Sequence, residues 1–123
     1  MILIFGGAYQ GKLNYAKANF NVDTIWDCSA GAVPNFEADC ICGIEGYVME
    51  CAKSGEDPRK YFEENRALWQ DSVLVVTDTS QGVVPIDRTV REFREMNGRL
   101  LLWLAGEADR VIRVFCGIGK DMK

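Results

Sequence analysis

The chain has 123 residues, a length that predicts one domain over residues 1–123, because two separate cores would each be too small to be stable. Hydrophobic residues make up 48% and charged residues 26%, as in an ordinary globular protein. The net charge of -4 argues against nucleic acid as a partner, since phosphate backbones are bound by clustered positive charge. The sequence has no histidine, which excludes Ser-His-Asp triads and histidine-ligated zinc.

The apolar stretches and the cysteines predict a cytoplasmic protein with no membrane partner. The run at residues 2–5 is too short for a signal-peptide core, and the run at residues 100–105 is too short to span a membrane. The odd number of cysteines indicates reduced thiols, since no secretory signal precedes them. A soft-metal site on Cys40, Cys42 and Cys51 is the weaker alternative, because no C-x-x-C pair is present.

The first third of the chain is predicted to alternate between strand and helix. Residues 2–5 are predicted as a buried strand, residues 11–20 as a helix, residues 22–28 as a second strand and residues 33–39 as a weaker third strand. Only about five residues then separate the second and third strands, whereas a parallel crossover needs a dozen or more. The alternatives are an antiparallel pair, a false strand, or a crossover shortened by deletion.

The rest of the chain continues this pattern and predicts an α/β sheet. The predicted elements are a helix from Ile44 to the breaker Gly55, a helix from Asp57-Pro58 to Leu68, a strand at residues 73–77, a turn at residues 78–85, a long helix from about Asp87 with a bend near Asn97-Gly98, and a last strand at residues 111–116.

A glycine-rich loop between the first strand and the first helix fits the pattern G-x-x-x-x-G-K. Glycines let backbone N–H groups converge on phosphate oxygens, and the following helix N-terminus attracts the same anion. We expect the loop to bind phosphate and Lys12 to act catalytically by neutralising phosphate charge. The alternative is a plain strand-to-helix turn. The predicted nucleotide-binding residues are Gly6, Gly7, Ala8, Tyr9, Gln10, Gly11, Lys12 and Leu13.

Leu13 stands where the pattern usually has Ser or Thr, whose hydroxyl binds Mg²⁺ directly. The motif therefore predicts phosphate binding better than phosphoryl transfer, and Mg²⁺ ligation is expected to be weak or indirect. Asp27, Asp39 and Asp78 each stand at the end of a predicted strand and are candidate acids. Of these we assign Asp39 and Asp78 as metal residues and Asp39 also as catalytic; the alternative for each acid is a helix cap or a turn.

Two segments resemble the adenosylcobinamide kinase/adenosylcobinamide-phosphate guanylyltransferase family. The opening MILIFGGAYQGKLNYA is similar to the family's amino-terminal loop, and Asp39-Cys40 is similar to its acid-Cys-Leu-Thr element. The more specific similarity is the stretch GVVPIDRTVREFREMNGRLLLWLAGEADRVIRVFCGI. The matching positions in that stretch are Gly82, Pro85, Arg88, Arg91, Phe93, Arg94, Gly98 and Arg99.

The resemblance implies a P-loop NTPase-like α/β domain, in truncated form, with helices on both faces of a mostly parallel sheet. It also implies binding of ATP or GTP, a corrinoid as second ligand, a homo-oligomer (a trimer in the family), and a kinase role in cobalamin biosynthesis. The family forms a guanylylated histidine between its second and third strands, so the guanylyltransferase step is not expected here. The arginines at 88, 91, 94 and 99 either contact corrinoid or phosphate, or form a solvated helix face.

The sequence leaves open whether the chain is an enzyme. One hypothesis is an adenosylcobinamide kinase-like phosphotransferase. The other is a non-catalytic binding or regulatory relative that keeps the fold, favoured by Leu13 and by the missing histidine. A third and weaker hypothesis is a thiol-dependent protein that uses Cys40 and Cys42.

Overall fold

Six strands form one sheet in the order β2-β3-β4-β1-β5-β6 in the computed structural model, which describes residues 1–80, 82 and 85–123. Gln81, Val83 and Val84, which belong to the predicted turn, lie outside the described residues. The strands are β1 Ile2–Gly6, β2 Ile25–Asp27, β3 Cys40–Cys42, β4 Val73–Thr77, β5 Arg110–Phe115 and β6 Ile118–Asp121. The helices are α1 Lys12–Asn19, α2 Ile44–Ser54, α3 Pro58–Glu64 and α4 Arg88–Glu107, with a short 3-10 turn at Arg66–Leu68.

The sheet is mostly parallel, as predicted. The pairs β2–β3, β3–β4, β4–β1 and β1–β5 are parallel, and only β5–β6 is antiparallel. Each parallel connection passes over a face of the sheet, which is the arrangement of α/β proteins. The predicted α/β class is therefore confirmed, and the architecture is consistent with a P-loop NTPase-like fold.

Alternation along the strands builds two cores, one on each face of the sheet. Leu3 belongs to the larger core, which also contains Val48 of α2 and Leu104 of α4. The next residue, Ile4, belongs to the smaller core together with Ala16 of α1. Helix α1 therefore covers one face while α2 and α4 cover the other, so the prediction of helices on both faces is confirmed.

The predicted third strand at residues 33–39 is wrong, because β3 begins only at Cys40. Pro34 cannot donate to a strand ladder, and Asn35 starts a turn in which its side-chain Oδ1 accepts from the Glu37 N–H. The connection between β2 and β3 therefore runs over residues 28–39 and is long enough for the parallel crossover that the structure contains. The shortage of residues noted in the sequence was a consequence of misplaced strand ends.

The last strand, β6, was missed in the sequence. Cys116 and Gly117 have φ values of 51° and 76°, which is the left-handed geometry of a two-residue hairpin turn. Glycine suits this geometry but cysteine rarely adopts it, so the turn signal in the sequence is weak. The predicted bend in the long helix is not seen as a break, since α4 runs uninterrupted through Asn97 and Gly98. Among the described residues no helix is long and apolar enough to cross a membrane.

Candidate phosphate site

The glycine loop connects the carboxyl end of β1, at Gly6, to the first residue of α1, Lys12. Gly11 is the residue before the helix and has a φ of 84°, a left-handed conformation that glycine adopts without strain. Gly6 is required for a different reason, since a Cβ at this position would lie 2.4 Å from the carbonyl oxygen of Val114. These two glycines fix how the loop leaves the sheet.

Lys12 is the buried cation of the loop, with 9% of its surface exposed. Its Nζ donates a hydrogen bond of 2.7 Å to the carbonyl oxygen of Gly7, so the side chain folds back across the loop. Burial lowers the pKa of Lys12, and the negative charge of Glu45 opposes that shift. Since an ammonium has three donor hydrogens, Lys12 keeps bonding capacity beyond Gly7.

The N-terminus of α1 has no side-chain cap among the described residues. The N-cap is Gly11, which has no side chain to accept from the N–H groups of the first turn. A helix N-terminus carries partial positive charge on such N–H groups, and here it begins at a buried lysine. The loop edge therefore combines backbone donors with a full positive charge.

The turn between β5 and β6 holds the glycine loop in place. The side-chain Oε1 of Gln10 accepts from the Cys116 N–H at 2.7 Å, and the carbonyl oxygen of Gln10 accepts from the Gly117 N–H at 2.8 Å. These contacts join positions more than a hundred residues apart in the chain. These hydrogen bonds orient Gln10 toward the hairpin turn. The sequence analysis missed these contacts because it did not predict β6.

A cleft of about 290 Å³ lies beside the loop, at the carboxyl ends of the strands. Lys12, Asp27 and Thr77 contribute to its lining, as do the loop residues Tyr9 and Gly11. Its chemistry is therefore a cation, a carboxylate and glycine-rich backbone in one place. In parallel sheets of this kind, ligands bind outside the carboxyl ends of the strands.

Asp27 reaches this cleft because of the register of β2. It pairs with Cys42 of β3, and residues paired in register point to the same face of the sheet. Its Oδ1 accepts from the Ser29 N–H at 2.9 Å, and this hydrogen bond, supported by the Cys42 thiol, lowers the pKa of Asp27. Asp27 is therefore a carboxylate held in a fixed turn at the rim of the cleft.

Glu45 was not considered in the sequence analysis, although it lies close to the loop. It belongs to the first turn of α2, and its Oε1 accepts from the Thr77 N–H at the end of β4 at 2.8 Å. It makes no ion pair with Lys12 among the described residues, but its charge still acts on that lysine. The sequence signal that could have identified Glu45 is an acid in the first turn of a helix that follows an inner strand.

Asp39 is not brought to the glycine loop. The prediction that it ends a strand is wrong, because it precedes β3 and therefore lies at the amino ends of the parallel strands. The loop follows the carboxyl end of β1, at the opposite edge of the sheet. The Asp39 carboxylate accepts from the N–H groups of Asp23 and Thr24, and these bonds lower its pKa.

Asp78 lies at the loop's edge of the sheet but outside the cleft. Its N–H donates to the carbonyl oxygen of Gly6 at 2.8 Å, and its Oδ1 accepts from the Ser80 N–H. It follows Thr77 directly, and its side chain lines a separate cavity of about 450 Å³ together with Leu101 and Leu102 of α4. The Asp78 backbone is thus hydrogen-bonded to the loop, whereas the cavity that Asp78 lines is on the opposite face of the sheet from the cleft.

The cysteines do not form a reactive or metal-binding cluster in the described part of the chain. Burial raises the pKa of Cys40 to about 11 and that of Cys42 to about 12, so both thiols stay protonated near neutral pH. Cys116 is exposed, in contrast to the other four cysteines. No group of three metal-binding side chains occurs among the described residues, and buried thiols argue against the thiol-dependent hypothesis.

The arginines of the long helix have mixed surroundings. Arg88 pairs with Glu92, and Arg99 pairs with Glu95, at the i,i+4 spacing of exposed helix faces. Arg94 differs, because it donates to the carbonyl oxygens of Thr79 and Ser80 and so holds the segment that follows β4. The solvated-face interpretation fits the first two pairs.

Comparison with known proteins gives two matches. The family model of cobinamide kinase / cobinamide phosphate guanyltransferase matches residues 37–122. The bifunctional adenosylcobalamin biosynthesis protein CobU of Salmonella typhimurium is 43% identical over 51 residues, which is 42% of this chain and 28% of that protein. The chain therefore matches less than a third of that relative's length. The family match begins after the glycine loop and after Asp27.

Proposed function

The chain belongs to the cobinamide kinase / cobinamide phosphate guanyltransferase family, and from this we propose that it binds ATP or GTP on the glycine loop and transfers the terminal phosphoryl group to a corrinoid alcohol. The observation that carries the proposal is the buried Lys12 at the start of an uncapped helix, directly after the glycine loop. The family assignment supplies the substrate class, and the loop supplies the chemistry that a triphosphate needs.

Nucleotide binding would use the residues from Gly6 to Leu13. Backbone N–H groups of the loop and of the first turn of α1 donate to the phosphate oxygens. Lys12 exchanges its hydrogen bond with Gly7 for a phosphate oxygen, at little cost, because the side chain already lies within the loop. Gln10 keeps the loop anchored to the hairpin, so its conformation is largely fixed before the nucleotide arrives.

Phosphoryl transfer needs little covalent help from the protein. The acceptor hydroxyl oxygen attacks the terminal phosphorus and the bond from that phosphorus to the bridging oxygen breaks. The nucleoside diphosphate leaves with the bonding electrons, and the hydroxyl proton passes to solvent. Lys12 and the loop N–H groups stabilise the charge that develops on the phosphoryl oxygens.

Mg²⁺ is the cofactor that this chemistry implies, and the residues of the cleft fit it. Mg²⁺ takes hard oxygen ligands, commonly one or two carboxylates together with substrate phosphates and water. The cleft offers the carboxylate of Asp27, whereas Leu13 has no oxygen to offer. When bound, Mg²⁺ would neutralise phosphate charge alongside Lys12.

Guanylyl transfer through a histidine is outside this proposal, since none of the 123 residues is a histidine. The second candidate function is a binding or regulatory role without catalysis, and the specific observation that favours it is Leu13. Leu13 lines the cleft and packs against the smaller core, and its side chain offers no polar group to a phosphate or a cation. A homo-oligomer also belongs to the proposal, and the exposed apolar side chains of Leu102, Phe115 and Ile118 support it.

The test combines nucleotide binding with turnover of adenosylcobinamide. We expect calorimetry to detect ATP or GTP binding to the wild-type protein and Lys12→Ala to weaken it by about 100-fold, the effect of removing a buried charged contact. Lys17→Ala, at the far end of α1, is the matched control. Absence of binding to the wild type would refute the proposal, and binding without turnover under Mg²⁺ would favour the non-catalytic candidate.

A further inference from the structure

The loop motif lacks its usual metal ligand, and the structure shows which side chain is placed to supply one. Leu13 lines the cleft and packs against the smaller core, but its aliphatic side chain has no oxygen to offer a cation. A hydroxyl at that position would normally bind Mg²⁺ next to the phosphates. A compensating ligand has to come from another side chain that lines the same cleft, and among the described residues Asp27 is the one carboxylate there.

Asp27 meets this requirement by its position. It is the last residue of β2 and lines the cleft together with Lys12 and Gly11, which are the groups expected to hold the phosphates. It is exposed, so binding a hydrated cation would not require opening the fold. Contacts to Ser29 and Cys42 fix the carboxylate and use only part of its capacity to accept from water or ligate a cation.

The other acids near the loop lack one or more of these properties. Asp39 lies at the opposite edge of the sheet, and Asp78 lines the cavity on the other face. Glu45 is close enough to act on the charge of Lys12, but one of its oxygens accepts from the Thr77 N–H and holds the end of β4. Geometry therefore favours Asp27 over Asp39 and Asp78, the two acids that the sequence analysis assigned to the metal, and over Glu45.

We propose that Asp27 is the protein ligand, directly or through one water, for the Mg²⁺ that accompanies the nucleotide, and that it takes the place of the missing hydroxyl at position 13. The inference rests on the proposed function, because the metal and the nucleotide share the cleft. One carboxylate with phosphate oxygens and water is a common coordination for Mg²⁺ in nucleotide sites. Asp27 lies outside residues 37–122, which the family model matches, so the family match does not assign this ligand.

The experiment measures nucleotide affinity by calorimetry with Mg²⁺ and with EDTA, for the wild type and for Asp27→Asn. We expect Mg²⁺ to strengthen wild-type binding by about tenfold, the scale of one screened carboxylate–cation contact. Asp27→Asn should lose that enhancement and keep its affinity in EDTA. Electron paramagnetic resonance of Mn²⁺ with nucleotide provides a second readout, in which Asp27→Asn should release the bound Mn²⁺ signal to that of the free nucleotide complex.

Three further variants keep the result interpretable. Asp27→Glu retains a carboxylate and should recover part of the Mg²⁺ enhancement, which separates ligand loss from misfolding. Asp39→Asn and Asp78→Asn should keep the full enhancement. An enhancement that persists in Asp27→Asn, or that is lost in Glu45→Gln instead, overturns the inference.

Failure of the inference and failure of the proposed function are distinguishable. A wild type that binds nucleotide equally well with Mg²⁺ and with EDTA refutes the role of Asp27 and leaves nucleotide binding intact. A wild type that binds no nucleotide under either condition refutes both.

Discussion

The cleft beside the glycine loop and the cavity beneath α4 lie on opposite faces of the same sheet, and the last residue of β4 and the residue after it contribute to one each. Thr77 lines the cleft, while the next residue, Asp78, lines the cavity. The cleft contains a buried lysine and a carboxylate, whereas the cavity is lined largely by leucine, alanine and other apolar side chains of α4 and the strands. One step along a strand therefore decides whether an acid belongs to the proposed phosphate site.

The cleft and the cavity also differ in the interactions that stabilise them. Side chains of the larger core support the cavity, and that core joins α2, α4 and the strands. The cleft depends more on backbone geometry and on a few hydrogen bonds, such as those of Gln10 with the hairpin turn. We therefore expect substitutions beneath α4 to change stability and substitutions at the loop to change binding.

The largest expected effect on stability is at Leu104, which is fully buried between α4 and the sheet. Leu104→Ala should lower the free energy of unfolding by about 2–5 kcal/mol, because it removes packed methyl groups and leaves a cavity. Urea denaturation measures the change. Leu102→Ala, at an exposed position of the same helix, should stay within about 0.5 kcal/mol of the wild type.

If the two regions are as separate as the comparison suggests, Leu104→Ala will keep its nucleotide affinity at temperatures where it is folded. A parallel loss of affinity and stability in this variant would show that the cleft depends on the packing beneath α4.

A smaller effect on stability, combined with a loss of binding, is expected at Gly6. Gly6→Ala places a Cβ 2.4 Å from the Val114 carbonyl oxygen, so the backbone of β1 or β5 has to move. We expect about 1–3 kcal/mol of destabilisation, together with weaker nucleotide binding as the loop shifts. Thermal unfolding and calorimetry measure the two quantities on the same sample.

Gly98→Ala is the matched control in the other region. A Cβ at Gly98 meets no atom within 4 Å, and the residue lies in the middle of α4. Alanine should stabilise the helix by about 0.5–1 kcal/mol and leave binding unchanged. Destabilisation by Gly98→Ala that equals that of Gly6→Ala would contradict the assignment of the Gly6 effect to its contact with Val114.

The smallest effect is expected at Asp39, at the edge of the sheet away from both regions. Hydrogen bonds from Asp23 and Thr24 lower the folded-state pKa of this carboxyl. A lowered pKa contributes stability that is present above the unfolded-state pKa and is lost as pH falls through the folded-state value. Asp39→Asn should therefore lower the melting temperature slightly at pH 7, and the difference from the wild type should shrink as pH falls through the lowered folded-state pKa of Asp39.

Asp39→Asn also tests the catalytic role that the sequence predicts for Asp39. Thermal melting against pH gives the stability profile, and turnover assays give the activity. A severe loss of nucleotide binding or activity in Asp39→Asn, with its stability intact, would restore the catalytic role that the sequence suggested.

Local sequence signals were sufficient where an element depends on its own residues. The short apolar run of β1, the apolar run of β4 and the amphipathic spacing of α4 all predict the elements that are found. These local signals failed where the position of an element depends on the strands that it pairs with. The ends of β3 depend on pairing with β2 and β4, and β6 exists because an unusual cysteine–glycine turn returns the chain to β5.

The sequence by itself determined the class of fold, the family resemblance and the glycine loop with Lys12, because each is carried by residues adjacent in the chain. Only the tertiary structure decided which carboxylate joins that loop. In the sequence Asp27, Asp39 and Asp78 all stand at the ends of predicted strands, but in the fold they differ in the edge and the face of the sheet on which they lie. Edge and face are set by register and by burial against distant segments, which local patterns do not specify.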